Sequence, residues 1–168
     1  MNSTNFSLPN HLSQLYNVLG SLSNEISHWF NHGKFSIYDL IEYVLIITGP
    51  ADIKVTSFSV SEEAISRFNY FLKSGMVREG KFIFDHSTSK SKFDLLLYLS
   101  KTYSVTRTNN HTKIILISNE QYHITISSSA NLNQNRRHEN GFAATDLVTF
   151  HLFEEYFDTI YNRAIPIK

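Results

Sequence analysis

Cysteine is missing from all 168 residues, and with it go disulfide staples, thiolate nucleophiles and thiolate metal sites. Glycine and proline are scarce, at six and three residues, which excludes collagen-like, linker-like and low-complexity architectures. Neither sign of charge is in excess: fifteen Lys and Arg face fifteen Asp and Glu, so the bulk signature of a nucleic-acid coat protein is lacking. A local cationic groove still steers phosphate when the total cancels, and nucleic acid stays open as a partner. No apolar stretch is long or uninterrupted enough to span a bilayer. Met1 to Phe6 carries no basic start followed by an apolar run, so no export signal is evident. The expectation is an intracellular protein without stable membrane association.

Aromatic mass is abundant. Thirteen Phe and nine Tyr dominate an aromatic content of 14%, within 42% hydrophobic residues overall. Rings at this density offset much of the entropy of ordering a chain. The length suits one compact domain, with or without a small helical appendage.

Leu8, Leu12, Leu15, Leu19, Leu22, Ile26 and Trp29 follow alternating spacings of four and three, which predicts one helix from about residue 8 to residue 30. Its polar side lacks a row of Lys and Arg, so the stripe reads as an arm packed on the domain or on a second subunit, not as a lipid-binding helix. Gly33 interrupts it. Ser36 is placed to cap a second helix through Ile37, Leu40, Ile41, Val44 and Ile47, which Gly49-Pro50 stops. The division expected is a helical extension over 1–35 and a domain over 36–168.

Within that domain, 53–60 reads as a strand and Ser61-Glu62-Glu63-Ala64 opens a helix with acids in its first turn. Lys81 to Asp85 reads as a second strand, Phe93 to Leu99 as a crossover helix, and Thr102 to Arg107 as a third strand. This alternation implies an α/β fold, a mixed or mostly parallel sheet flanked by helices. Lys113 to Ile117 and Tyr122 to Ser127 form a hairpin around Ser118-Asn119-Glu120-Gln121. A short strand follows near Gly141 to Ala144, and a last helix near Asp146 to Ile160 carries Leu147, Phe150, Phe153, Phe157 and Ile160 inward.

The block His111-Thr112-Lys113-Ile114-Ile115-Leu116-Ile117 carries the chemistry. On an extended strand alternate residues share a face, so His111 and Lys113 project together before the strand turns wholly apolar. The next strand ends in Ser128-Ser129-Ala130-Asn131, and Glu139-Asn140 lies just beyond, so polar groups from both strands reach one rim. Attack on a phosphodiester needs a nucleophile that stays good near neutral pH, which imidazole is, and donors for the nonbridging oxygens. Lys113 and Asn131 supply such donors. Glu139 is suited to fix an imidazole tautomer, and Ser129 to position that ring or a phosphate oxygen. Arg136, Arg137 and Arg107, with Lys101, are candidates for flanking phosphates. Tyr98 and Tyr103 have the rings to stack on a base, but core packing is their default. His86, His123 and His151 form no cluster with zinc spacing.

The same residues resemble the signature of the phospholipase D-like superfamily, in which histidine, any residue, lysine, four residues and aspartate precede a glycine-serine, any residue, asparagine run. His111, Lys113, Ser129 and Asn131 match four of those positions, and Glu139 looks like the glutamate found beyond them. Ser118 stands in place of the aspartate and Ser128 in place of the glycine. The likeness covers roughly residues 40 to 162, with a single copy of the motif. It implies a phospholipase D-like fold and metal-independent, cofactor-free hydrolysis through a phosphohistidine. Two subunits about a twofold axis would bring two His111, two Lys113 and two Asn131 to a shared site. Short single-motif members resemble nucleases more than lipases, so the implied partner is nucleic acid, DNA before RNA, and the implied assembly a homodimer. The alternative is a non-catalytic member that binds nucleic acid or serves in assembly through the same groove.

Overall fold

The computed structural model describes residues 9–134 and 137–168. Eight strands build one mixed sheet: β1 (Ile26–His32), β2 (Ala51–Ser57), β3 (Val77–Asp85), β4 (Ser104–Thr108), β5 (Ile114–Ser118), β6 (His123–Ser128), β7 (His138–Ala144) and β8 (Ile165–Pro166). The helices are α1 (Ser13–Leu19), α2 (Ile37–Thr48), α3 (Glu62–Lys73), α4 (His86–Ser91), α5 (Phe93–Leu99) and α6 (Leu147–Tyr161), with a 3-10 turn at Asn10–Leu12. Strand order is β1-β7-β6-β5-β2-β3-β4-β8. β3 runs parallel to β2 and β4, and every other pairing is antiparallel. The C-terminal ends of β2, β3 and β4 therefore share one edge with the start of β5, the end of β6 and the start of β7.

Local chemistry explains the helix bounds. Ser36 and Asp39 close a capping box on α2: Ser36 Oγ accepts from the Asp39 backbone N–H at 3.1 Å and Asp39 Oδ2 accepts from the Ser36 N–H at 2.8 Å. Gly49, at φ 76°, ends that helix as expected. Ser61 caps α3 and Asp146 caps α6 through the Ala64 and Thr149 backbone N–H groups.

Two apolar layers sandwich the sheet. The larger holds α1 to α5 against one face and includes Leu12, Leu15, Leu19, Tyr43, Phe68 and Phe82. The smaller packs α6 through Phe150 and Phe157 onto Ile83, Ile114 and Leu116. Lys54, on β2, ties α6 down, donating to Asp158 at 2.8 and 2.9 Å and to Glu154 at 3.0 Å.

The first helix is shorter than its leucine spacing suggests. Leu8 lies outside the described residues, and α1 stops at Leu19, where Gly20 takes φ 56° and Leu22 φ 59°. Leu12, Leu15, Leu19 and Leu22 are all buried, so the stripe packs within the chain. Ile26 and Trp29 belong instead to β1, which alternates: Ser27, Trp29 and Asn31 point inward, and Ile26, His28, Phe30 and His32 outward. Seven residues of β1 pair with β7. Gly141 faces Trp29 in that ladder, and a Cβ there would come within 2.3 Å of the indole and 2.5 Å of the Ser127 carbonyl oxygen.

Candidate active site

His111, Thr112 and Lys113 lead into β5 at the shared sheet edge, and their turn is bolted to the neighbouring strands. Thr112 Oγ1 donates to Asn110 Oδ1 at 2.6 Å and lies 2.9 Å from Thr56 Oγ1, which accepts from the Ile114 N–H at 2.9 Å. The buried Asn110 in turn donates its backbone N–H to Asp85 Oδ2 at 2.9 Å. Burial works against an ionised Asp85, but bonds from the Ser87 hydroxyl and the Ser87 and Asn110 N–H groups outweigh it and hold the carboxyl below its usual range. Residues from β2 and β3 thus fix where His111 sits.

His111 is exposed, whereas Lys113 keeps only 9% of its surface. Lys113 Nζ donates to the His111 carbonyl at 2.8 Å and lies 3.2 Å from His111 Nδ1. Burial pushes the Lys113 ammonium below its usual pKa, and the negative charge of Glu139 acts in the opposite direction. Lys113, Ile115 and Glu139 share the sheet face turned toward α1 to α5.

Ser129 and Asn131 stand on the turn after β6. Ser129 Oγ donates to Glu139 Oε2 and accepts from the Asn140 N–H at 3.0 Å, and the Ser129 N–H donates to the Asn140 carbonyl at 2.9 Å. Asn131 Oδ1 accepts from the Phe58 N–H at 3.2 Å and from Ser57 Oγ at 3.4 Å. With its oxygen engaged, the Asn131 amide offers Nδ2 as a donor. The Phe58 ring lies 5.0 Å from the His111 ring, so the segment after β2 touches both halves of the motif. Leu132 completes the tie, its N–H donating to Ser57 Oγ at 3.1 Å. Imidazole, ammonium, hydroxyl, carboxylate and amide are together at one rim, a set able to hold an oxyanion and move a proton.

The two departures from the motif have local roles. Ser128 Oγ accepts the Ala130 N–H at 2.8 Å, which folds the turn toward Asn131. Ser118 is at the opposite end of β5, paired with Asp52 on β2 and His123 on β6.

Other candidates are dispersed. Arg107 lies on β4, three strands from β5, and donates to Ser89 Oγ at 3.4 Å. Arg137 is exposed just before β7, and Arg136 lies outside the described residues. Lys101 is at the far end of the sheet, over the exposed Tyr98 ring. Tyr103 is a core residue whose hydroxyl donates to the Phe68 carbonyl at 2.6 Å. His123 packs on Phe150, and His151 lies 3.5 Å from Glu154.

Among the described residues one histidine–carboxylate group is tight enough to hold a cation: His11, Asp39 and Glu42. Arg67 already occupies it, bonded to Glu42 and 3.4 Å from Asp39. Sequence reading missed this cluster because His11 comes from the N-terminal segment. The i, i+3 pair on α2 was the only visible signal.

No model of a known protein family matches the chain, and no curated protein does. Solved structures do. The fold is similar to NucT from Helicobacter pylori, with a TM-score of 0.63 and 16% identity over 84% of this chain and 99% of that one. Nuc from Salmonella typhimurium, described as a phospholipase D family member, gives 0.61 and 13% over 84% and 96%. TrmBL2, described as an archaeal chromatin protein with a novel mode of DNA binding, gives 0.54 and 11% over 90% and 59%. What these likenesses show is the fold: a mixed sheet flanked by helices, similar in architecture to NucT and to Nuc.

Proposed function

We propose that the chain is a metal-independent phosphodiesterase acting on nucleic acid, DNA before RNA, at a site shared by two copies. The observation that carries this reading is the buried Lys113, whose ammonium lies 3.2 Å from His111 Nδ1 and feels the charge of Glu139, on a fold similar to NucT and Nuc. A cationic Lys113 can only donate, so Nδ1 accepts and the proton of a neutral ring sits on Nε2. In that tautomer Nε2 has no lone pair for attack, and giving a proton away takes the imidazolium form. A nucleophilic Nε2 needs the proton on Nδ1 instead, so one ring cannot serve both steps at once.

Two copies resolve the conflict. In one copy Lys113 turns from Nδ1 to the phosphate, the ring proton sits on Nδ1 and Nε2 attacks phosphorus; the bond to the leaving oxygen breaks, and the other His111, as the imidazolium, gives that oxygen its proton and is left neutral. Water then attacks the phosphohistidine, the second ring takes its proton, and the P–N bond breaks. Lys113 and Asn131 receive charge on the nonbridging oxygens, and Ser129 with Glu139 positions the rim. Arg107, Arg136 and Arg137 are assigned to flanking phosphates.

Cleavage of plasmid DNA in EDTA tests the assignment. Wild type should nick the plasmid and His111→Ala should lose activity by at least about a thousandfold. Unchanged cleavage by the variant rejects the role of His111. A second reading, nucleic-acid binding without turnover, draws on Ser118 in place of the aspartate and on the likeness to the DNA-binding TrmBL2. Wild type that binds DNA but is inert toward several phosphodiesters would favour it.

A further inference from the structure

On the sheet face that carries α6, the outward residues of β1 and β7 are open to solvent at the same end as Ser129. Residues directly opposite in an antiparallel ladder share a face, and the register gives two rows. His28, Phe142 and Ser127 form one, and Phe30 and Asn140 the next. Phe142 leans on Phe153 of α6 and on His28, whereas Phe30 is 86% exposed. Together with Ser129 these side chains line a groove of about 480 Å³. Glu139 alternates to the other face, so the groove and the His111 cluster lie on two sides of one sheet end. Ser129 belongs to both, lining the groove while bonding Glu139.

The chemistry of the lining is specific. No carboxylate lines the groove, and imidazoles flank it: His28 within it, and the stacked pair His32 and His138, 3.9 Å between centroids, in the next row. A large ring held in water by a rigid strand, with amide and hydroxyl groups beside it, presents a flat apolar face and a polar edge. An interface between protein copies gathers apolar residues at its centre, but the ladder sets His28, His32 and Asn140 beside Phe30, and the nearest ring, Phe142, already packs on Phe153 of α6.

We propose that this groove is a nucleobase subsite: an unpaired base stacks on Phe30 and turns its polar edge to Asn140 and Ser127. The adjoining phosphate passes over Ser129 to His111 and Lys113, so the subsite rests on the phosphodiester reading of that cluster. Bases inside a duplex have both faces covered, so the subsite selects single-stranded nucleic acid.

The test measures binding by fluorescence anisotropy in EDTA, on His111→Ala protein so that no strand is cut. The probes are labelled single-stranded dodecamers, one base-bearing and one with an abasic backbone. Adding Phe30→Ala should weaken binding of the base-bearing strand about tenfold, with no loss for the abasic strand, and Phe30→Tyr should restore it. Equal affinity with and without Phe30, or the same loss on the abasic strand, overturns the proposal. A change in sedimentation mass on Phe30→Ala also overturns it, by making the patch an interface between copies. Wild-type cleavage is scored separately: protein that binds through Phe30 yet cuts nothing keeps the subsite and loses the proposed chemistry.

Discussion

His111 and Lys113 were legible as a pair because extended backbone puts i and i+2 on one face, and Ser129 and Asn131 because they follow directly on the end of the next strand. The residues that hold them were not. Thr56 and Asp85 support His111 from separate strands through Thr112 and the loop residue Asn110, and nothing in their spacing marks them as one network. Asp85 makes the network sensitive to acid. Its folded pKa is depressed, so its contribution to stability is full above the ordinary carboxyl pKa and is lost as pH falls through the lower folded value. Urea midpoints measured from about pH 6 down to pH 2 should show a steeper acid decline for wild type than for Asp85→Asn. Gly141 is a second such position. Gly141→Ala drives a methyl into Trp29 and the Ser127 carbonyl, and should cost about 2 kcal/mol or more in urea unfolding. Emission from Trp29, the one tryptophan, should shift in the folded variant.

Elements with chemical end signals were read correctly from sequence: α2 between Ser36 and Gly49, α3 after Ser61, α6 after Asp146. β1 was misread because its Ile26 and Trp29 extend a leucine spacing of helical period across Gly20, where the backbone leaves the helix. The alternation of buried and exposed residues from Ile26 to His32 was the competing signal, and pairing with β7 decided between them. The two residues of β8 are too few to carry any pattern. α6 depends on one cation for its seat. Removing Lys54 leaves the partly buried Glu154 and Asp158 to repel each other, beside a β2 position 20% exposed. Lys54→Ala should therefore cost about 1–2 kcal/mol in thermal or urea unfolding, discounted for solvent screening. Part of that loss should return in high salt, where the carboxylate repulsion is screened.

For the whole molecule, the proposed chemistry divides two histidine roles between two copies. Mixing then becomes diagnostic. If each site takes one His111 from each subunit, wild type refolded with a large excess of His111→Ala sits almost wholly in mixed dimers, and activity per wild-type chain should fall toward zero. Independent sites would leave it unchanged. The pairing of β1 has its own consequence for how the molecule is made. Its one strand partner among the described residues, β7, begins about a hundred residues later, so a ribosome must release that stretch before this strand can find its seat. Until then Trp29 lacks the β7 side of its packing, although Phe35 is already synthesised beside it, and the nascent protein carries a partly open tryptophan face of the kind chaperones shield.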